Sequence, residues 1–397
     1  MSRREPFFDE RFPMGAIRHA LDKQVHKRLP RHTGWWHVFG SLALMLFISQ
    51  VLSGILLLVY YRPTPAEAHN SIEYITGEAH FGWLFRQIHA WGSTFMILAV
   101  LAHMARTFFW GAYKKPRELT WIVGVLIFVV TITFGFTGYL LPWNQVSYWA
   151  TMVGTQISGA IPVVGESLQR LLRGGESVGN ETLSRFFTVH AVVLPWVMVL
   201  LIAIHLFLVR MQNLATLDPV GQEPSLPPDT GIPFYPVHVS KEGCVALMTL
   251  GILITASVLW PWEMGAPADP LRTPEAIKPE WYFLPTYQLL KYFGGPWGKV
   301  LGILCSMVPI VLLLIWPFVD RSPHRRPRRR PLSMTIGAVA IAAALILGVL
   351  GHLSERTVTI FGRQYHFDLK GIPTRVHDER GAAGQVMTRG EFQVRGP

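Results

Sequence analysis

Seven long apolar runs alternate with polar segments along the chain. A helix rises about 1.5 Å per residue, so about 20 apolar residues cross a hydrocarbon core about 30 Å thick. The runs cover residues 35–61, 81–110, 120–143, 183–211, 243–262, 300–319 and 332–353. Half of the 397 residues are hydrophobic. The pattern therefore predicts an all-α integral membrane protein with seven spans.

Two of these runs each contain a pair of histidines. His89 and His103 are 14 residues apart in the second span, and His190 and His205 are 15 residues apart in the fourth. These steps differ from whole helical turns by about 40° to 60° and rise roughly 21 to 22 Å, so each helix offers two imidazoles on one face. If the helices face each other, His89 meets His190 and His103 meets His205. Such sites suit two six-coordinate haems; for a single histidine, the alternative is a hydrogen-bonded packing residue.

Glycines repeat the 14-residue interval in the first and third spans. They are Gly40, Gly54, Gly124 and Gly138. Glycine weakens a helix, so these positions indicate places where a flat macrocycle needs the missing side-chain volume. Close helix packing through small residues is the alternative. Arg86 and Arg106 lie one turn from His89 and His103, where a guanidinium can pair with a haem propionate or extend to the membrane surface.

The net charge of +11 is distributed by topology rather than gathered into a face for nucleic acid. Residues 1–31 contain eight Lys or Arg and residues 321–330 contain six Arg, whereas residues 62–80 contain one. The positive-inside rule places the N-terminus in the cytoplasm and the C-terminal tail outside, so His89 and His190 form the outer pair. Residues 16–28 suggest a basic amphipathic surface helix or a solvated arm. Cys244 and Cys305 are isolated, and no CxxCH motif for a c-type haem is present.

The spans and loops predict five regions. Residues 1–34 form the cytoplasmic N-terminal segment, 35–212 a four-span diheme bundle, 213–241 a Pro- and Gly-rich linker, 242–353 a three-span domain, and 354–397 a polar outer tail. Within the bundle, residues 141–184 predict short helices on the outer face, and Pro195 predicts a kink in the fourth span.

A carboxylate lies among aromatic residues in the loop between the fifth and sixth spans. Glu280 follows Pro279 and precedes Trp281 and Tyr282. An acid in this setting at the outer end of a membrane domain suits the removal of a proton from an apolar, aromatic substrate. Taken alone, such an acid is more often a solvated loop residue.

Together these motifs resemble cytochrome b of the Rieske/cytochrome b quinol oxidoreductases, the cytochrome bc and bf complexes, over about residues 30–354. The resemblance rests on the histidine pairs, the spaced glycines, LLPWNQVSYWAT at 140–151 and PEWYF at 279–283. YYRPTPAEA, KKPRELTW, the 15-residue step between His190 and His205 and the seven spans resemble the plastoquinol branch. In that branch, cytochrome b6 and subunit IV are separate polypeptides, whereas here they resemble a fusion joined near 213–236.

The resemblance implies that quinol is oxidised near the outer face. One electron would pass to a Rieske iron-sulfur protein and the other through two non-covalent b-type haems to a quinone near the inner face, with protons translocated. It implies that Glu280 accepts a quinol proton, that Tyr282, Tyr287 and Tyr139 shape that pocket, and that the haem ligands are the four histidines. Its candidates for inner proton delivery are Glu242, Lys241 and Arg210.

The resemblance also implies a c-type cytochrome partner and a homodimer within a multisubunit complex of a bacterial inner membrane. One departure concerns the extra covalent haem of the plastoquinol branch, which a single cysteine binds. Val38 occupies the matching position, so we expect no covalent haem, and the occupant of that space remains open. A diheme electron conduit without its own quinol site is an alternative function. A proton or ion transporter is another alternative. That class would be expected to have acidic residues within the spans, but apart from Glu242 at a span edge the spans contain none.

Overall fold

A computed structural model of the chain describes residues 7, 11–12, 14–222, 231–274, 277–295 and 297–376. The predicted N-terminal segment, linker and tail therefore lie partly outside the described residues. Where it is described, the chain is mostly helical, and the strands are short.

The helices of the first half precede residue 213. They are α1 (Met14–Val25), α2 (Phe39–Leu58), α3 (Ala68–Gly77), α4 (Gly82–Phe109), α5 (Glu118–Tyr139), α6 (Gln145–Gly159), α7 (Gly165–Arg173), α8 (Asn180–Thr188) and α9 (Leu194–Gln212). A π-helical turn, Val189–Val193, joins α8 to α9. A 3₁₀ turn, Trp35–His37, precedes α2.

The second half contains fewer helices and a small sheet. Its helices are α10 (Val239–Leu259), α11 (Leu284–Lys291), α12 (Gly298–Val319) and α13 (Pro331–Leu353), and a π-helical turn, Phe234–His238, precedes α10. The strands are β1 (Arg28–Leu29), β2 (Ile232–Pro233), β3 (Thr357–Ile360), β4 (Arg363–Phe367) and β5 (Pro373–Arg375). Antiparallel pairing joins β1 to β2 and orders the other three β3-β4-β5.

The prediction of seven spans is confirmed. In the described parts of the chain, seven helices are long and apolar enough to cross a membrane. They are Phe39–Leu58, Gly82–Phe109, Glu118–Tyr139, Asn180–Gln212, Phe234–Leu259, Gly298–Val319 and Pro331–Leu353. The chain is an integral membrane protein.

The fifth span begins and ends earlier than its apolar run. Polar residues 240–242 interrupt the hydrophobic pattern but not the helix, so α10 begins at Val239, before the apolar run. The turn that precedes it is kinked, since Tyr235 has a non-helical φ of −106° and ψ of 137°. Pro261 disfavours helical geometry in the residue before it. Trp260 accordingly leaves the helix with φ −135° and ψ 65°.

The predicted break in the fourth span takes the form of a widened turn. Pro195 lies in the first turn of α9 and has no N–H to donate to the preceding turn. The residues immediately before α9 form the π-helical turn, and this turn contains His190. π-Helical turns within α-helices are frequent at functional sites.

The described residues divide into two compact units. The larger unit comprises residues 1–277 and 293–343, and the smaller comprises 278–292 and 344–397. In the larger unit, α2 packs along α4, α5 along α9, α10 against α4 and α12 against α5. A buried apolar cluster that includes Leu46, Met96, Met198 and Leu253 joins α2, α4, α9 and α10. The four-span bundle and part of the three-span region therefore share one core.

The smaller unit contains an ordered sheet that the polar sequence of the tail did not predict. β3 and β4 form a hairpin whose turn residues, Phe361 and Gly362, have φ of 50° and 76°. Positive φ at both turn positions suits the right-handed twist of a two-residue hairpin. β5 pairs with β4 and completes the sheet.

Candidate functional site

The structure brings together both predicted pairs of histidines inside the larger unit. The rings of His89 on α4 and His190 in the π-helical turn have centroids 6.3 Å apart and planes at 70°. The rings of His103 on α4 and His205 on α9 have centroids 6.4 Å apart and planes at 75°. The outer and inner pairs therefore have nearly the same geometry.

This spacing fits a metal held between two imidazoles. Each metal–nitrogen bond would be about 2 Å long, and each ligating nitrogen lies about 1 Å from its ring centre. Two such ligands on opposite sides of one metal therefore have ring centroids about 6 Å apart. Among the described residues, no group of three or more His, Cys, Asp or Glu side chains is arranged to hold a metal ion. The histidines are thus arranged as isolated axial pairs, which suits haem iron.

Hydroxyl groups select the tautomer of the outer pair. Ser53 Oγ lies 3.0 Å from His89 Nδ1 and donates to the carbonyl of Ser49 at 2.7 Å. Thr137 Oγ1 lies 3.2 Å from His190 Nδ1 and donates its proton to a backbone carbonyl of its own helix at 2.9 Å. Each hydroxyl oxygen can therefore accept from Nδ1–H, which leaves Nε2 unprotonated and able to bind metal.

Each predicted glycine faces one histidine ring. The distances from a Cβ built on the glycine to the facing Cε1 are 2.5 Å for Gly138 and His190, 3.0 Å for Gly40 and His103, 3.3 Å for Gly54 and His89, and 3.4 Å for Gly124 and His205. Real Cβ atoms essentially never approach another atom within 3.0 Å. At least at Gly138, a side chain would therefore displace the ring.

The two arginines near the histidines have different surroundings. Arg86 donates to the carbonyl of Trp262 at 2.8 Å and lies 3.8 Å from the sulfur of Met264, so it holds the loop after α10. Arg106 has a buried Nε without a hydrogen-bond partner among the described residues. Of the two, Arg106 is the one with an open donor for an anionic group.

The loop with Glu280 belongs to the smaller unit. Glu280 is half-buried, and burial raises the pKa of its carboxyl above the ordinary 4.5. Tyr282 stacks near Phe283, with ring centroids 4.7 Å apart, and Tyr287 follows on α11. The remaining predicted residue of this pocket, Tyr139, is the last residue of α5 in the larger unit.

In the larger unit, α6 is held by the loop that follows α10. Asn144 caps α6 by accepting from Ser147 N at 2.9 Å, and it donates to the carbonyl of Met264 at 2.7 Å. Gln145 accepts from Asp269 N at 2.6 Å. The short outer helix was predicted, but these two amides were not. Asn144, a polar residue directly before the helix in the motif at 140–151, was a capping signal present in the sequence.

The structure adds histidines to the residues predicted for the inner quinone site. Glu242 Oε1 lies 3.4 Å from Nε2 of the buried His238, one turn earlier. Lys241 Nζ lies 5.7 Å from the ring centre of Trp35. Arg210 lies in the last turn of α9.

His37 also belongs to this inner region. Burial, together with the charges of Arg106, His32 and His238, lowers the pKa of His37 to about 3. Nε2 of His37 and Nδ1 of His238 are buried without hydrogen-bond partners among the described residues. The spacing of His238 and Glu242 by four residues was a signal that both share one helix face.

A buried ionic network joins the loop that follows α4 to the loop that follows α12. Asp320 lies 2.7 Å from Lys114 Nζ and 2.8 Å from Arg330 Nη2, and Tyr113 donates to it at 2.5 Å. Burial raises the pKa of Asp320, but hydrogen bonds from Lys114 and Tyr113 bring it down to about 2. The sequence placed these basic residues at the inner face and gave no sign of the network.

Two family models match the chain. Residues 24–213 match the family described as cytochrome b/b6/petB, and residues 267–367 match cytochrome b(C-terminal)/b6/petD. The chain is 41% identical over 347 residues to the cytochrome bc complex cytochrome b subunit of Chlorobaculum thiosulfatiphilum, which covers 86% of this chain and 78% of that protein. It is 45% identical over 215 residues to cytochrome b6 of Acaryochloris marina, which covers 54% of this chain and 99% of that protein.

A solved structure titled "Hyperthermophilic respiratory Complex III" is also similar. It superposes with a TM-score of 0.80 at 34% identity, and the match covers 90% of this chain and 92% of that one. Both halves of the chain therefore have counterparts in one group of membrane proteins.

Proposed function

The chain belongs to the cytochrome b family, and we propose that it is the subunit of a quinol oxidoreductase that oxidises quinol at the outer face and reduces quinone at the inner face. The family binds haem b, and we propose two such haems. When bound, they would transfer one electron of each quinol across the membrane, while the other electron leaves with a Rieske protein.

The observation that carries this proposal is the matched geometry of the histidine pairs. His89 with His190, and His103 with His205, have equal ring spacing, and a glycine faces every ring. Packing residues would have no reason to share this spacing at two depths. We propose these four histidines as the axial ligands of an outer and an inner haem.

The glycines and arginines would complete the two haem pockets. Gly40, Gly54, Gly124 and Gly138 leave room for the ligand rings and, in this proposal, for the edge of each macrocycle. Arg106, with its open Nε, is the better candidate for an inner propionate, and Arg86, in the first turns of α4, would serve the outer one. Because Val38 has no thiol, no covalent haem is proposed.

Glu280 would take a proton from quinol at the outer site. Its raised pKa brings the carboxyl closer to neutral pH, where a general base works best. Tyr282 and Tyr287, which belong to the same unit as Glu280, would line the pocket for the aromatic headgroup. The proton would leave to the outer side.

Glu242 and Lys241 would supply protons to quinone near the inner face, with Arg210 in a weaker role. The contact of Glu242 with His238 at 3.4 Å supports this assignment, since it places an acid beside an imidazole in a region with open donors. Proton release outside and uptake inside would couple electron transfer to a proton gradient.

The setting proposed for the chain follows from the same family. It would lie in a bacterial inner membrane with its N-terminus in the cytoplasm and its tail outside. Its partners would be a Rieske protein and a c-type cytochrome, within a homodimeric multisubunit complex.

The test is quinol-driven reduction of haem in the purified complex, measured optically with and without an inhibitor of outer quinol oxidation. Inhibitor-sensitive reduction of two b-type components is expected. Haems that are reduced without such sensitivity would instead support a diheme conduit that has no quinol site of its own.

A further inference from the structure

The loop that contains Glu280 forms a compact unit with the end of the last span and the tail. Residues 278–292 group with residues 344 onward rather than with the adjoining sequence. Close packing supports this division, since a Cβ on Gly351 of α13 would lie 3.1 Å from the carbonyl oxygen of Leu284. Gln288 on α11 is fully buried.

Lys278, two residues before Glu280, caps the C-terminal end of α13. Its Nζ donates to the carbonyl of His352 at 2.7 Å and to that of Ser354 at 2.6 Å. The last carbonyls of a helix have no partners within the helix and carry partial negative charge, so a cation there makes strong hydrogen bonds. This contact fixes the start of the loop.

Lys291, at the end of α11, binds the same turn from the other side of the loop. Its Nζ lies 3.0 Å from Ser354 Oγ and 3.1 Å from Glu355 Oε2. It also lies 4.4 Å from the ring centre of Tyr287, one of the residues proposed to line the quinol pocket. Ser354 is fully buried, and its carbonyl and hydroxyl accept from the lysines at the two ends of the loop.

The sheet of the tail holds this turn in place. Glu355 N donates to the carbonyl of Phe367 at 2.9 Å, and the buried Phe367 lies at the end of β4. Tyr292 donates from its hydroxyl to the carbonyl of Lys370 at 2.9 Å. Backbone bonds therefore run from the sheet to the turn at Ser354, and side-chain bonds run from that turn to the loop.

We propose that Lys278 and Lys291, held by Ser354 and the tail sheet, form a clasp that positions Glu280 for proton transfer. The two lysines are positioning residues, because neither is assigned a contact with quinol. The inference rests on the proposed function only in taking Glu280 as the proton acceptor. The proposal gives residues 354–376 a role in holding the loop of the outer quinol site.

The test uses the complete membrane complex with Lys278→Met, Lys278→Arg, Lys291→Met and Lys291→Arg. Lys299→Met, at an exposed lysine in the first turn of α12, is the matched control. Two readouts are taken: kcat and KM for a short-chain quinol, and hydrogen exchange of the amides of residues 283–292. Optical spectra of the haems verify that each variant is assembled.

Loss of a charge-assisted hydrogen bond changes a local equilibrium by about tenfold or more. The Met variants are expected to exchange these amides about tenfold faster and to raise KM, while the Arg variants and the control retain wild-type values. Unchanged exchange and KM in both Met variants would overturn the clasp. If the Met variants do not assemble, Ser354→Ala, which removes the hydroxyl that accepts from Lys291 and donates to the carbonyl of Gly351, is expected to produce the same changes.

Failure of the proposed function would look different. If Glu280→Gln left turnover unchanged, Glu280 would not be the proton acceptor, whereas hydrogen exchange would still show whether the clasp holds the loop. If Glu280→Gln stopped turnover and the lysine variants changed neither KM nor hydrogen exchange, the outer quinol site would be supported and the clasp would be refuted.

Discussion

Replacing Gly138 by alanine is the sharpest perturbation of the proposed outer haem site. The added Cβ would lie 2.5 Å from His190 Cε1, whereas ordinary contact begins at 3.4 Å. The ring must therefore move by about 0.9 Å, the difference between these distances. Metal sites tolerate deviations of about 0.2 Å in ligand distance, so the outer pair would be disrupted.

The free-energy balance gives the size of the effect. Alanine should favour the helix by roughly 0.5–1 kcal/mol, whereas overpacking costs roughly 1–3 kcal/mol. A net loss of one or two kcal/mol corresponds to about 5- to 30-fold weaker retention of the outer haem. Helix propensity alone would predict that the alanine stabilises this region rather than weakening haem retention.

The assay is the amplitude of each b-type component in a reduced-minus-oxidised spectrum of the purified complex. Gly138→Ala is expected to lose the outer component and keep the inner one. The matched control is Gly251→Ala in the fifth span, whose Cβ would meet no atom of the described residues within 4 Å, and both components should remain. Full outer amplitude in Gly138→Ala, or equal losses in both variants, would refute the reasoning.

Three further predictions concern acids and hydroxyls. Glu280→Gln should slow quinol oxidation and leave both haem spectra intact. The wild-type rate should fall as the pH drops through the raised pKa of Glu280. Stopped-flow kinetics should show that the Gln variant lacks this pH dependence. Asp320→Asn leaves the buried guanidinium of Arg330 without its counter-charge, and thermal unfolding should show a loss of about 3–5 kcal/mol. Because the folded pKa of Asp320 is lowered to about 2, its stabilisation should persist above the unfolded value near 3.8 and be lost as the pH falls toward 2. Ser53→Ala removes the acceptor of His89 Nδ1–H, so a redox titration should show a shifted midpoint potential for the outer haem only.

Helical periodicity was sufficient to predict the histidine pairs, because it governs both the spans and the faces that they present. His89 and His103 are close to whole turns apart on a single helix, so their common face follows from geometry alone. The facing glycines obey the same interval. These parts of the site needed no knowledge of how the loops fold.

The tail and the inner network could not be predicted, since they depend on contacts between residues far apart in sequence. β3 alternates polar and apolar residues over only four positions, and β4 and β5 are short and largely polar, so the sequence does not mark a buried face. Asp320 meets Lys114 across about two hundred residues of chain, and sequence spacing gives no measure of that distance. Hydropathy also misplaced the start of the fifth span, because Lys241 and Glu242 are helical although polar.

The most direct test of two bis-histidine haem sites is an optical redox titration of the purified complex. Two b-type components with distinct midpoint potentials are expected, and His190→Leu should remove one of them while His205→Leu removes the other. Fewer than two components in the wild-type complex, or both components retained in either variant, would contradict the assignment of the histidine pairs.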